Sequence, residues 1–318
     1  MKAIALLSGG LDSTLAAKIV KDLDIELVAF NTVTPFCLCN HRSASGCFHG
    51  ASAVANDLGL KFLCQDVGAE FLEIVKAPKH GYGSNVNPCI DCRILLFTKA
   101  RELMVKEHAD FVITGEVVGQ RPMSQQPRTL RLIERESGLE GLVVRPLSAG
   151  VLPPSIPEQK GWIPREQLLV LTGRGRREQF DLAEQFGIND YPCPSGGCLL
   201  TDPQFSKRVR DLLEHETFDL RNVRLLKIGR HFRLNRAAKL IVGRNEEENE
   251  RLLTFREEGD YVFTPPDEIA GPNALAKGLL TGELIELASS VVARYCDRTG
   301  DDEVEITCAQ FPENESNS

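Results

Sequence analysis

The segment that most constrains the fold of this chain is Ser-Gly-Gly-Leu-Asp-Ser-Thr, at residues 8–14. It follows an apolar run, Ala3 to Leu7, that is typical of a buried strand, and it precedes a stretch with helical apolar spacing. A strand, a glycine turn and a helix N-terminus together form an anion site, because glycines let backbone N–H groups approach a phosphate and the helix dipole favours negative charge there. The segment therefore predicts phosphate binding; the alternative is an ordinary βα turn with a Ser or Asp cap.

This segment is neither the G-x-x-x-x-G-K-[ST] motif nor the G-x-G-x-x-G motif. Its pattern, S-G-G-x-D-S, resembles the pyrophosphate loop of the PP-loop ATP pyrophosphatases, which adenylate a substrate and release pyrophosphate. The resemblance implies ATP and Mg²⁺ as cofactors, with Asp12 as a catalytic residue that orients the phosphates or the Mg²⁺ ion. It also implies phosphate binding by Ser8, Gly9, Gly10 and Ser13.

The composition is that of a soluble globular protein of about two domains: 318 residues, 42% hydrophobic and 26% charged. No apolar run approaches the ~20 residues needed to cross a membrane, and the N-terminus lacks a signal pattern, so a cytoplasmic location is expected. In a reducing compartment, clustered cysteines bind metal or perform redox chemistry more often than they form structural disulfides. The ten cysteines are therefore candidates for a functional site.

Short apolar strands alternate with helical segments over the first two hundred residues, which predicts an α/β fold with a parallel sheet. Ligands bind at the carboxyl ends of such strands. On this basis Phe30, Asn31 and Thr32 are expected to line the adenine side of a nucleotide site, and Thr114 and Gly115 to border it. The predicted strands are Ala3–Leu7, Glu26–Asn31, Lys61–Cys64, Phe111–Thr114 and Leu142–Arg145.

The composition changes after about residue 218, which indicates a second domain. We expect a PP-loop domain of the adenine nucleotide alpha hydrolase-like fold at 1–203, a linker helix at 204–218 and a smaller α+β domain at 219–310. The polar residues 311–318 are expected to be a disordered tail.

Two cysteine segments stand out in the first domain. Cys89 and Cys92 form a C-x-x-C that opens a predicted helix, where the dipole lowers a thiol pKa and favours nucleophilic attack or metal ligation. Cys198 follows two glycines that let the backbone bend around a sulfur ligand. From the residues alone, a redox pair and half of a zinc site remain alternatives.

The segments Ile113–Gln120, Ser124-Gln125 and Val144–Leu147 resemble the core of tRNA 4-thiouridine synthetases. The Asn-Pro-Cys-x-x-Cys segment and the late Gly-Gly-Cys resemble the cysteine regions of tRNA 2-thiouridylases, which implies Cys92 and Cys198 as catalytic residues. A third cysteine, Cys89, resembles the iron–sulfur-dependent members, in which three thiolates hold a [4Fe–4S] cluster; here these would be Cys89, Cys92 and Cys198. Cys193 could replace Cys198, carry a persulfide or be a spare thiol.

A second group of cysteines, Cys37, Cys39 and Cys47, lies with His41 and His49 after the second predicted strand. A Zn²⁺ site at these residues is one interpretation. The spacing matches no standard finger, so cysteines held beside the site for other reasons are the alternative.

The segment 221–244 carries eight positive charges and no acidic residue, although the whole chain has a net charge of −8. Phosphate contacts from Lys and Arg supply most of the non-specific affinity for nucleic acid, so the run predicts an RNA-binding surface; a solvated face is the alternative. Residues 239–254 resemble the NFACT-R RNA-binding domain. The expected RNA-binding residues are Arg221, Arg224, Lys227, Arg230, Arg233, Arg236, Lys239 and Arg244.

Together these features predict an ATP-dependent tRNA sulfurtransferase, a thiouridine synthase that acts through an adenylated base. Its expected partners are tRNA or another structured RNA and a sulfur donor such as a cysteine desulfurase or free sulfide; a homodimer is left open. The alternatives are a PP-loop sulfurtransferase that acts on a small molecule or through a persulfide, and an RNA-binding quality-control factor with an inactive PP-loop domain.

Overall fold

The computed structural model describes residues 1–37, 46–188, 198–297 and 304–312, with only the backbone of 46–48. The chain divides into two compact units, Met1–Pro203 and Gln204–Ser318. The predictions for Cys39, for Cys193 and for most of the tail lie outside the described residues, as does the side chain of Cys47. Among the described helices, none is long and apolar enough to span a bilayer.

The first unit is built on a parallel sheet of five strands in the order β3-β2-β1-β4-β5. The central strand β1 pairs in parallel with β2 on one side and with β4 on the other. The order reverses between β1 and β4, which is where a ligand crevice forms in open α/β sheets. All five predicted strands are confirmed. Their bounds are β1 Lys2–Leu6, β2 Glu26–Val33, β3 Lys61–Asp66, β4 Phe111–Thr114 and β5 Val143–Val144.

Helices cover both faces of this sheet, because its central strands are apolar on both sides. One face of β1, with Ala3 and Ala5, packs in a buried cluster with Leu15 of the first helix. The other face, with Ile4, packs with Phe97. The helices are α1 Leu11–Lys21, α2 Gly46–Asp57, α3 Gly68–Lys76, α4 Cys89–Lys106, α5 Pro127–Ser137, α6 Ile156–Gln159 and α7 Arg177–Gln185.

The second unit is built on an antiparallel sheet of five strands in the order β10-β8-β9-β7-β6. Its strands are β6 Arg230–Arg233, β7 Lys239–Val242, β8 Tyr261–Thr264, β9 Ala274–Lys277 and β10 Thr307–Gln310. Strands β6 and β7 form a hairpin: β6 pairs antiparallel with β7, and the Asn235 side chain accepts from the backbone N–H groups of Ala237 and Ala238 in the turn.

Four helices accompany this second sheet in the described part of the unit. Helix α8, in the region predicted as a linker, has Val209 and Leu212 buried. Leu240 packs in one buried cluster with Val292, while Ile241 packs in another with Leu252. The α/β fold followed by a smaller α+β domain is therefore confirmed. The helices are α8 Pro203–His215, α9 Leu220–Leu225, α10 Glu246–Thr254 and α11 Gly282–Ala293.

Candidate nucleotide and thiol site

Residues 8–14, which we call the nucleotide loop, comprise the end of the turn after β1 and the first turn of α1, and they are held by their own hydroxyl groups. The Ser13 hydroxyl donates to the Gly10 carbonyl at 2.8 Å, and the Thr14 hydroxyl donates to the same carbonyl at 3.1 Å. Ser13 Oγ also accepts from the backbone N–H of Ser8 at 3.2 Å. These bonds fix the turn so that the N-terminus of α1 begins at the carboxyl end of the central strand, where backbone N–H groups favour an anion.

Two glycines let the backbone pack closely around this loop. Gly9 has a φ of +75°, and a Cβ there would lie 2.6 Å from the carbonyl carbon of Gly50. A Cβ on Gly115, just after β4, would lie 2.4 Å from the carbonyl carbon of Asp12. Because real Cβ atoms do not approach so closely, both positions require glycine. Gly115 therefore seats the end of β4 directly against the start of α1.

Asp12 is the acidic residue of the loop, and one of its oxygens is already bound. Its Oδ2 accepts from Gln120 Nε2 at 3.1 Å and from Arg176 Nη2 at 2.8 Å. Its Oδ1 is buried and has no hydrogen-bond partner among the described residues. A buried carboxylate oxygen without a partner fits a Mg²⁺ ligand, since Mg²⁺ is usually bound by one or two carboxylates together with substrate phosphates. The sequence interpretation missed Arg176.

The other residues predicted to line the nucleotide site differ in their surroundings. The Phe30 ring belongs to a buried apolar cluster, so this side chain is a core residue and not a lining one. Asn31 is buried; its Nδ2 donates to the Leu7 carbonyl at 2.6 Å, and its Oδ1 has no partner within the described part. Thr32 is half-buried, and Thr114 is buried at the end of β4. Asn31 therefore presents an unused acceptor beside the loop.

The structure brings Cys37, Cys89, Cys92 and Cys198 into one electrostatic neighbourhood, which we call the thiol cluster. Cys89 and Cys92 lie on the first turn of α4, as predicted, and the backbone N–H of Cys92 donates to the Pro88 carbonyl at 2.9 Å. Cys37 and Cys198 lie opposite each other in an isolated antiparallel bridge. Cys37 thus lies beside the three predicted ligands, as the alternative to a Zn²⁺ site stated for this cysteine group.

Two of these thiols are held in the neutral form. Burial, with a smaller effect from Cys89, raises the pKa of Cys92 to about 11, although Arg93 opposes it. Burial and the charge of Cys92 raise the pKa of Cys198 to about 12. The sequence argument from the helix dipole predicted the opposite direction for Cys92, and it is wrong because the cost of burying a thiolate exceeds the gain from the helix end.

Two guanidinium groups accompany the thiol cluster. Arg121 interacts electrostatically with Cys89 and Cys198, and burial and the charge of Arg93 lower its pKa. Arg93 follows Cys92 directly, and its Nε lies 3.7 Å from Oε1 of the buried Glu116. The Glu116 Oε2 atom accepts from Arg145 Nε at 3.1 Å.

This arrangement links the two halves of the site through neighbouring residues. Gly115 packs on the nucleotide loop, and the next residue, Glu116, holds the arginine beside Cys92. The loop and the thiol cluster are therefore connected at the same edge of the parallel sheet.

The thiols suit a soft metal centre in their chemistry, since iron–sulfur clusters are held by cysteine thiolates. In the described ranges, however, no three histidine, cysteine or acidic side chains are arranged so that they could hold a metal ion. The donor set therefore fits a [4Fe–4S] cluster in its chemistry, while the side-chain positions of the described residues do not form a metal site.

Four of the eight predicted RNA-binding residues are occupied by acidic partners. Lys239 is only 3% exposed and its Nζ lies 3.0 Å from Asp211 Oδ2. Arg233 Nη2 lies 2.7 Å from both Asp211 Oδ2 and Glu216 Oε1. The remaining two are Arg221, which pairs with Asp260 and Glu257, and Arg244, which pairs with Glu248. Lys239 is therefore an internal residue and not part of a docking surface.

Other members of the basic run remain at the surface. Arg224 and Arg236 are exposed and have no ion pair recorded within the described part of the chain. The Arg230 guanidinium lies over the Tyr295 ring, 4.6 Å from its centroid, and its Nη1 donates to the Gly243 carbonyl at 3.2 Å. Arg224, Arg230 and Arg236 are thus the members best placed to contact a phosphate.

Two family models each match a part of the chain. Residues 1–135 match the family model described as the tRNA methyl transferase HUP domain. Residues 229–318 match the model described as the NFACT protein RNA binding domain. The predicted resemblance to a PP-loop, tRNA thiolase-like protein with an RNA-binding domain is confirmed at this level.

A curated relative also matches a short part of the chain. A tRNA-specific 2-thiouridylase, MnmA, from Beutenbergia cavernae is 32% identical over 101 residues, or 29% of this chain and 27% of the relative. The chain thus matches about a quarter of that curated relative.

Two solved structures were also matched. A 4-thiouridine synthetase–RNA complex with bound ATP is 19% identical, with a TM-score of 0.38 over 71% of this chain and 52% of that chain. The U34-tRNA thiolase NcsA from Methanococcus maripaludis, with its [4Fe–4S] cluster, is 16% identical, with a TM-score of 0.36 over 67% of this chain and 66% of that chain.

Proposed function

We propose that this protein is an ATP-dependent tRNA sulfurtransferase that replaces a uridine carbonyl oxygen with sulfur. The observation that carries the proposal is the position of the thiol cluster at the sheet edge that also carries the nucleotide loop. Such an arrangement suits a reaction in which one group activates a carbon and another delivers a nucleophile to it.

In the first half of the reaction, the nucleotide loop binds ATP through the backbone around Gly9 and Gly10 and the hydroxyl groups of Ser8 and Ser13. The base carbonyl oxygen attacks the α-phosphorus, and pyrophosphate leaves. The Oδ1 atom of Asp12, which has no partner among the described residues, supports Mg²⁺ binding there, and Arg176, which contacts Oδ2 of the same carboxylate, would add positive charge beside the phosphates. The product of this step is a base that is adenylated at its carbonyl oxygen. That oxygen can then leave as part of AMP.

In the second half, sulfur attacks the activated carbon and AMP leaves. Cys89, Cys92 and Cys198 are the residues that would hold a [4Fe–4S] cluster, which when bound would supply an iron site for hydrosulfide. Arg121 and Arg93 add positive charge beside these thiols, which favours anionic sulfur and a phosphate leaving group.

RNA binding is assigned to the second unit, in agreement with the family model that its residues match. The surface arginines Arg224, Arg230 and Arg236 would contact the RNA backbone. Since the chain as a whole is acidic, with a net charge of −8, positive charge must be local to attract a polyanion.

The test is a reaction under argon with purified full-length protein, ATP, sulfide and unmodified tRNA transcript. We expect AMP, pyrophosphate and thiouridine in equal amounts, measured by nucleotide chromatography and nucleoside mass spectrometry. Asp12→Asn and Cys198→Ser should each abolish thiouridine. Cys64→Ser, at an exposed thiol on β3, is the matched control and should retain full activity.

Other outcomes separate the alternatives. Release of ADP and phosphate would contradict the PP-loop assignment, and AMP release without RNA would indicate a small-molecule substrate. Failure to bind ATP would favour an RNA-binding factor without catalysis. Protein purified without air should contain about four irons per chain. Full activity of iron-free protein with sulfide would show that sulfide attacks the activated carbon without a cluster. Activity only with a cysteine desulfurase as the donor would indicate a persulfide.

A further inference from the structure

Cys37 and Cys198 lie opposite each other in an antiparallel bridge. The backbone N–H of Leu199 donates to the Phe36 carbonyl at 2.9 Å. This bond joins the residue after Cys198 to the residue before Cys37, which identifies the two cysteines as a non-hydrogen-bonded pair. In such a pair the Cα atoms lie about 4.5 Å apart and the side chains project from the same face.

This geometry is within the range of a disulfide, whose Cα atoms are usually about 4.4–6.8 Å apart. No backbone rearrangement is therefore needed for a bond between them.

Buried residues fix the backbone on both sides of the pair. Phe36 is 0% exposed and packs edge-on against Phe71, with ring centroids 5.7 Å apart. Leu200 is 0% exposed, and its carbonyl accepts from the backbone N–H of Val86 at 3.3 Å. Both cysteines are half-buried, so a small oxidant can reach them.

We propose that Cys37 and Cys198 form a reversible disulfide and that this pair is an oxidation site of the protein. A peroxide oxidises one thiol to a sulfenic acid and leaves as water; the second thiol then displaces a second water and the S–S bond forms. In total, two thiols and one peroxide give one disulfide and two waters. A dithiol reductant returns both thiols.

The consequence concerns Cys198, which cannot act as a free thiol while it is bonded to Cys37. Oxidation would therefore remove one of three thiols from any reaction or ligand set that needs Cys89, Cys92 and Cys198 together. The inference rests on backbone pairing, so it stands or falls separately from the proposed thiolation.

The test treats the reduced full-length protein with one equivalent of hydrogen peroxide, alkylates the remaining thiols and maps the peptides by mass spectrometry without reduction. We expect a Cys37–Cys198 link that dithiothreitol removes. Fragment ions must separate Cys37 from Cys39 and Cys198 from Cys193, because no Lys or Arg lies between the members of either pair. The link should persist in Cys64→Ser.

In Cys37→Ser, Cys198 should still be alkylated after peroxide treatment. In oxidised wild-type protein, alkylation of Cys198 should be at least tenfold lower. Circular dichroism spectra of both proteins check that the variant is folded. A Cys89–Cys92 or Cys92–Cys198 link in wild-type protein, with Cys37 fully alkylated, would overturn the proposal. So would the absence of any link.

Discussion

Arg176 Nη2 donates to Asp12 Oδ2 at 2.8 Å, although the two residues lie 164 positions apart. Arg176 immediately precedes α7, and Asp12 lies on the first turn of α1. The guanidinium therefore lies beside the turn between β1 and α1, where the proposed function places the phosphates of ATP. It holds the carboxylate in place and adds positive charge to a site made otherwise of backbone N–H groups.

Arg176→Ala should weaken ATP binding because it removes a charge-assisted contact at the phosphate site. Such a contact contributes about 1.5–3 kcal/mol, so a rise of at least about tenfold in the KM for ATP is expected. The neighbouring Arg177→Ala, at an exposed position, is the matched control. Steady-state kinetics at saturating RNA give the measurement; equal KM values in the two variants would contradict a phosphate role for Arg176.

Gly115→Ala should disable the nucleotide loop while the domain remains folded. The added Cβ would lie 2.4 Å from the Asp12 backbone, so the start of α1 must shift away from β4. Gly175→Ala adds the same methyl group where nothing lies within 4 Å, and it should bind ATP normally. Isothermal titration with a non-hydrolysable ATP analogue compares the two, and normal binding by Gly115→Ala would show that the loop tolerates the shift.

Arg224→Glu combined with Arg236→Glu should weaken tRNA binding, because both side chains are exposed. The logarithm of the association constant falls linearly with the logarithm of the salt concentration, and each lost phosphate contact should make this slope shallower by about 1. Arg251→Glu combined with Arg256→Glu, at two exposed arginines outside the basic run, makes the same charge change and is the control. Fluorescence anisotropy at several salt concentrations measures both quantities. An unchanged slope in the double variant would place the RNA surface elsewhere.

Asp211→Asn should destabilise the protein near neutral pH. Burial alone would raise the pKa of Asp211, but hydrogen bonds from Arg233 and Lys239 outweigh it and lower the pKa from 3.8 to about 2. Since the folded pKa is depressed, the stabilisation is present above about pH 4 and is lost as the pH falls towards 2. After allowance for solvent screening we expect about 1 kcal/mol.

Urea unfolding followed by circular dichroism measures this effect of Asp211→Asn. The difference in unfolding free energy between wild-type protein and the variant should shrink from pH 6 to pH 2.5. Asp267→Asn, at an exposed aspartate of the same unit, should show no such difference. If the difference in unfolding free energy between wild-type protein and Asp211→Asn stayed constant across that pH range, the carboxylate charge would not stabilise the fold.

The sequence by itself determined the features that depend on neighbours along the chain. The five parallel strands, the glycine loop before α1 and the hairpin turn at Asn235 all follow from local apolar spacing and turn chemistry. The position of Cys89 and Cys92 at the start of α4 is local in the same sense. Such patterns are readable because the interactions that produce them span only a few residues.

Only the tertiary structure decided which distant residues meet. The basic run has no acid within it, yet Asp211 and Glu216 reach Arg233 and Lys239 from α8 and the segment after it, and they turn predicted RNA contacts into internal ion pairs. Cys37 and Cys198, which are far apart in the sequence, lie opposite each other in an antiparallel bridge for the same reason. These contacts depend on how the sheets and helices pack, which fixes separations in space that spacing along the sequence does not encode.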